Sequence, residues 1–217
     1  MDLNLYINYA YRLWTFDENV HRELRESQAP SISTNLIAFS IFGLIMGIIF
    51  ALNEFVVTSA LSGIELIFYF LGAIIGGVIL IPIGYLLFSL WSQMWINVFG
   101  GDQSFSKTFE LFTYIYIPSF IVSVIILILQ TILAVFIKSE TGLIIATLPL
   151  NLISFGVGIY AIAVIIKTFS VTHNMQILNV VLAGVISFVT LFLILSIIGF
   201  IIGFIIGFLV GFDSLLV

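Results

Sequence analysis

Five stretches of this chain stay apolar for long enough to cross a lipid bilayer, and that recurrence constrains the fold more than any motif. They run from about Leu36 to Leu52, Leu66 to Leu90, Leu111 to Ile137, Leu143 to Ile166, and Ile177 to Gly199 or beyond. A helix needs about 20 apolar residues, with a lower limit of about 17, to cross a hydrocarbon layer roughly 30 Å thick. Hydrocarbon offers no partner to a backbone amide, so such segments cross as helices that satisfy their own hydrogen bonds. Only 8% of the 217 residues are charged, against about 25% in an ordinary soluble domain. Too few charges are present to coat a water-soluble surface. The expected fold is all-α, a polytopic transmembrane bundle of five spans. No Pro-, Ser- or charge-rich linker divides it, so residues 1–217 read as one domain, with 1–30 as an interfacial segment and 36–212 as the bundle.

The same residues narrow the chemistry. There is no cysteine, which removes disulfides, thiolate metal sites and thiol nucleophiles together. The net charge is −5, and six Lys plus Arg cannot make a nucleic-acid footprint. Ionisable residues inside a membrane usually mark function, yet the predicted spans hold none away from their ends. Glu54, Glu65, Lys138, Glu140, Lys167 and His173 read as interfacial anchors or loop charges. The two histidines, His21 and His173, belong to no H-E-x-x-H pair, and neither a G-x-S-x-G elbow nor a phosphate-binding loop occurs. No catalytic, cofactor or metal site is expected. Gln130 and Asn151 lie within spans, where interhelical hydrogen bonding accounts for them.

Before the first span, Leu3, Tyr6, Ile7, Ala10, Leu13 and Trp14 recur at helical spacing, with Asp2, Asn4, Asn8 and Arg12 between them. This pattern predicts an amphipathic helix lying in the membrane interface. Thr15 and Glu18 form a capping-box pattern for a second short helix. Its pairs Glu18–Arg22 and Arg22–Glu26 suit a solvated surface helix that ends before Pro30. Met1 to Trp14 lacks the basic start and unbroken apolar core of a signal peptide, so the first span is expected to act as the signal anchor. Arg12, Arg22, Arg25, Lys107 and Lys167 fall on one side of the predicted bundle and Lys138 alone on the other. The excess predicts a cytoplasmic N-terminus, an outside C-terminus and residence in the plasma membrane.

Small residues and prolines predict packing. Gly43 with Gly47, and Gly72 with Gly76, stand at the four-residue spacing that lets helix backbones approach closely. Pro82, Pro118 and Pro149 should bend their helices, and the indoles of Trp91 and Trp95 should favour the interface. Gly199, Gly203, Gly207 and Gly211 are each followed by Phe, a stripe that predicts a helix-packing or oligomer face. Ile177 to Phe212 exceeds one crossing and must tilt, protrude or break.

One segment carries a family resemblance. Gly100-Gly101-Asp102-Gln103-Ser104-Phe105-Ser106-Lys107-Thr108, leading to Tyr114, Tyr116 and Pro118, resembles the signature of the Yip-one domain family of five-span membrane proteins. In that pattern a double glycine ends the second span, Ser-Phe and a basic residue follow, and an aromatic then a proline open the third. Trp14 to Leu24 resembles the aromatic, acidic segment before the family's first span. Thr172-His173-Asn174-Met175-Gln176 resembles its His-Gly turn before the fifth, with Asn174 where the glycine is usual. The Asp-Leu-Tyr-Gly-Pro motif of eukaryotic members, linked there to Rab GTPase trafficking, is absent, so the chain looks more like the prokaryotic branch. The resemblance implies a non-enzymatic membrane factor, a scaffold or adaptor whose partners are the bilayer, a second copy or another membrane protein. Read physically, Gly100 to Thr108 is a tight turn that fixes the angle between two spans, with Ser106 as the expected cap of the third, and a docking role for Phe105 and Lys107 is the sharper alternative. A permease or channel subunit for a small neutral solute is the alternative.

Overall fold

The computed structural model describes the backbone of residues 3–58, 63–137 and 139–213, and the side chains of the same residues except 3, 56–58, 140 and 205–213. Lys138, the side chain of Glu140 and the surroundings of Gly207 and Gly211 therefore lie outside the described residues. Seven helices follow in order: α1 (Leu3–Trp14), α2 (Glu18–Glu26), α3 (Ile32–Thr58), α4 (Ile64–Val98), α5 (Phe105–Phe136), α6 (Glu140–Thr172) and α7 (Ile177–Asp213). The last five are long and apolar enough to cross a membrane. Each exceeds the apolar run that predicted it, because polar turns such as Phe105–Glu110 remain helical by packing inside the protein. Segment α7 continues without a break, and at 1.5 Å per residue it reaches about 55 Å, well beyond one hydrocarbon layer.

Helix α5 sits at the centre, packed on α1, α3, α4 and α6, and every residue from Lys107 to Ile115 is buried. Beside it an aromatic column forms, with Phe39 stacked on Tyr85 at 4.5 Å and on Phe109 at 5.7 Å. Helix α7 leans on the second half of α4 and on α6, and among the described residues it does not pack on α5. Gln130 Nε2 donates to Asn151 Oδ1 at 2.9 Å, so the two polar residues of the spans satisfy each other between α5 and α6.

The closest backbone approach joins α3 to α4. A Cβ on Gly43 would stand 1.9 Å from the Gly77 carbonyl oxygen, and one on Gly47 would stand 2.5 Å from that of Ala73. Gly43 and Gly47 thus pack as expected, but their partners are Gly77 and Ala73. A Cβ on Gly72 would meet nothing within 4 Å, so the predicted Gly72/Gly76 face is displaced by one residue. A wide π turn follows at Gly76–Leu80, just ahead of Pro82. Proline has no amide hydrogen to give the Val78 carbonyl four residues back, and Ser40 Oγ of α3 donates to that carbonyl at 3.2 Å. The carbonyl that proline leaves without its amide is thus met by a neighbouring hydroxyl, and α5 and α6 stay helical through Pro118 and Pro149.

The N-terminal helices belong to the bundle. The apolar face of α1 buries Tyr6, Ala10 and Leu13 against protein and leaves Ile7 half exposed. Trp14 Nε1 donates to the Ile115 carbonyl of α5 at 3.0 Å, and the Trp14 carbonyl accepts from Tyr160 Oη of α6 at 2.5 Å. The amphipathic helix is present, but the face expected to meet lipid meets α5 and α6. Helix α2 lies on α6, with Val20 and Leu24, the thin apolar side of a surface helix, buried together with His21. Trp91 also turns inward, donating to the Ser187 carbonyl of α7 at 3.0 Å.

Candidate functional site: the capped end of the bundle

Two turns at the end of the bundle next to α1 and α2 bring the signature stretches together. Helix α4 ends with Gly100 at φ +92°. The Gly101 amide donates to the Ile96 carbonyl at 2.9 Å and the Gly100 amide to Asn97 at 3.2 Å, the paired bonds of a Schellman cap. Helix α6 ends the same way: Asn174 has φ +54°, the Met175 amide donates to Ser170 at 2.9 Å, and the Asn174 amide to Val171 at 3.4 Å. Asparagine tolerates this left-handed conformation better than most side chains. The departure from the family's glycine therefore preserves the turn. Gly101 is small for another reason, since a Cβ there would stand 2.3 Å from Ile96 Cγ2 and 3.1 Å from Met175 Sδ.

A directional polar network locks these turns. The Asp102 amide donates to the His173 carbonyl at 3.3 Å. The Thr108 hydroxyl donates its one hydrogen to Gln93 Oε1, and Gln93 Nε2 donates to Asn97 Oδ1 and, at 2.9 Å, to the Gln103 carbonyl. With that hydroxyl committed, the 3.1 Å contact between Thr108 Oγ1 and His173 Nε2 assigns the ring hydrogen to Nε2. His173 Nδ1 then carries a lone pair with no protein partner, and the side chain is fully buried. Burial pushes the imidazole down to about 4, with Arg25 and Lys107 acting in the same direction against Asp102. His173 is a neutral bracket between α5 and α6, stacked on Phe169 at 5.3 Å, and not the loop charge that its position suggested.

Helices α1 and α2 strap this end. Arg12 forks from α1 to Asp17 at 2.7 Å and to both oxygens of Glu23 at 2.7 and 2.8 Å. Among the described residues, the pairs expected along α2 between Glu18, Arg22 and Glu26 do not form. The expected capping box is also displaced. Phe16 takes φ +55° in a third Schellman turn, so Thr15 closes α1 and Asp17 caps α2, accepting from the Asn19 amide at 3.0 Å. Arg25 Nη2 of α2 reaches Asp102 at 2.8 Å. Both nitrogens of buried His21 lack a hydrogen-bond partner, and burial, with nearby Lys167, lowers its affinity for a proton.

Beneath the strap lies an ion pair. Lys107 Nζ stands 2.6 Å from Glu110 Oε2, each side chain 3% exposed, and donates to Ser27 Oγ at 3.1 Å. Tyr114 Oη donates to Glu110 Oε1 at 3.2 Å, under the rings of Tyr6 and Tyr9 at 5.1 and 5.4 Å. Ser104 caps α5 by accepting from the Lys107 amide; Ser106, the expected cap, donates instead to the Pro30 carbonyl at 3.1 Å. Phe105 stacks on Phe109 at 6.1 Å.

The structure thus gathers Gly100, Gly101, Ser104, Phe105, Lys107, Tyr114 and His173 at one end, while Pro118 lies farther along α5 and Gly199 and Gly203 far along α7. In this conformation the Lys107 ammonium is engaged internally. Sequence reasoning missed Gln93, Glu110, Asn35 and Tyr6, the last two joined by a 2.6 Å bond from Tyr6 Oη to Asn35 Oδ1. The one available signal was the three-residue spacing of Lys107 and Glu110, a helical pair once α5 is started at Phe105. Neither a curated protein nor a solved structure matches the chain. Residues 11–199 match the Yip1 domain, a stretch that includes both turns, the network between them and only the last turn of α1. On that match, and on the five spans that carry it, the chain belongs to the Yip1 domain family of integral membrane proteins.

Proposed function

We propose that this protein is a non-enzymatic scaffold or adaptor that associates through its spans with a second copy or another membrane protein. One observation carries the reading. The polar signature residues are spent on internal bonds, while a Cβ on Gly199 or Gly203 would meet nothing within 4 Å. Close backbone approach needs such small residues, and here no described residue of the chain supplies a partner for them. The basic residues Arg12, Arg22, Arg25, Lys107 and Lys167 support a cytoplasmic placement for the capped end, in the plasma membrane of a prokaryote. An impermeant thiol reagent on intact cells should then label Ser139→Cys and spare Ser104→Cys.

Crosslinking in native membranes tests association. The Gly199→Leu/Gly203→Leu variant, at equal expression, should lose most of the wild-type dimer or heteromeric adduct. Unchanged adducts would refute the scaffold reading. The alternative reading, a permease for a small neutral solute, would be supported by uptake into proteoliposomes by the wild type.

A further inference from the structure

We propose that the cavity between α4, α5, α6 and α7 is a binding site for one acyl chain of a membrane phospholipid, admitted sideways from the bilayer. The cavity holds about 380 Å³ and exists because α7 packs on α4 and α6 without reaching α5. Its floor is buried, formed by Ile96, Phe112, Phe169 and Ala183. Exposed Ile162, Val185 and Phe188 mark its mouth between α6 and α7. Ile162 lies four residues, about 6 Å, inside the end of its apolar run at Ile166, and Phe188 lies eleven residues, about 16 Å, from the start of the last run at Ile177. The mouth therefore opens inside the hydrocarbon layer, where the acyl chains of one leaflet lie.

The lining selects the occupant. Its hydroxyl-bearing residues are Ser92 and Ser187, 3.3 Å apart, and Tyr116, and among the described residues no charged side chain lines the cavity. Stable water needs two to four polar partners apiece, and a polar solute would lose its hydration without replacement. A helix of another protein, about 10–12 Å across, would fill the whole volume with a single turn. A slender, flexible hydrocarbon chain fits both the shape and the lining, and the surrounding bilayer supplies it at high concentration. Gly184 keeps the space open, since it lines the cavity and a Cβ there would meet nothing within 4 Å.

That vacancy provides the test. The full chain is reconstituted into phosphatidylcholine vesicles containing a trace of phospholipid with a photoactivatable group near the end of one acyl chain, and labelled peptides are mapped. Label should reach the floor at Phe112, Phe169 and Ala183. Gly184→Phe should reduce floor labelling about tenfold, equivalent to about 1.4 kcal/mol of binding, without altering the melting temperature. Gly156→Phe, at an equally open glycine of α6 outside the cavity, should leave floor labelling unchanged. Label confined to outward-facing residues, equal floor labelling in both variants, or a crosslink from the floor to a second protein chain would each overturn the proposal. None of these outcomes depends on whether the protein acts as a scaffold.

Discussion

Two glycine stripes of similar spacing behave in opposite ways. Gly43 and Gly47 sit against Gly77 and Ala73 so closely that any Cβ would enter backbone atoms, whereas Gly199 and Gly203 face open space. The first pair lies where α3 packs on α4 and α5. The second pair lies on α7, whose far half has many exposed apolar side chains. Spacing alone thus signals that backbone can be approached. Which backbone does the approaching is a separate property, and inside a membrane it need not belong to the same chain.

The largest effect expected from this contrast comes at the crossing. Gly77→Leu would drive a side chain into the Gly43 carbonyl, 2.1 Å from the Cβ position, and the obstacle is backbone that no rotamer change can move. A loss of about 4 kcal/mol or more is expected, seen as failure to recover a monodisperse protein in mild detergent. Normal recovery and melting would show that the two stripes are equivalent after all.

The buried ion pair sharpens the comparison at the strapped end. Lys107→Met leaves Glu110 in the protein interior without its cation, and breaking a pair of this kind costs about 3–5 kcal/mol. Removing both charges, as Lys107→Met/Glu110→Leu, should recover much of that loss. Thermal melts of the two variants give the answer, and a double variant less stable than the single would contradict it.

A somewhat smaller effect is expected from acid. His173 falls from 6.5 to about 4 on folding, so between these values the unfolded chain binds the extra proton and stability declines as pH drops. The contribution is fully present above pH 6.5 and is lost on acidification towards pH 4, amounting to about 3 kcal/mol. His173→Gln should flatten this part of the melting profile. An equally steep profile in the variant would assign the pH dependence elsewhere. At the other end of the scale, Gly203→Leu should change the melting temperature of the detergent-solubilised monomer by less than about 0.5 kcal/mol would produce. A large loss there would mean that the distal stripe is packed internally.

Much of the architecture was legible in the residues. Apolar runs of sufficient length leave the backbone no alternative to spanning helices in hydrocarbon, so five spans, the amphipathic α1 and the pairing of Gly43 and Gly47 with a neighbour all follow from composition and period. The Gly100-Gly101 turn follows too, because positive φ is easy for glycine, and the resemblance correctly joined residues 100–108 with 172–176 in one family pattern. Hydropathy could not place Lys107 and Glu110. It scores each residue by the cost of exposing it to lipid, while these two are sheltered by α1, α2 and each other.

Partners across the fold are what only the tertiary structure decided. That α1 buries its apolar face on α5 and α6, that α4 meets α3 through Gly77 instead of Gly72 and Gly76, and that His173 brackets Thr108 are choices among surfaces of similar chemistry. The period of a helix says which residues share a face and leaves open what that face will touch. Contact is settled by shape at ångström scale: two backbones close on each other where glycines face, a Schellman cap aims the next helix, and two spans that fail to meet leave a cavity between them.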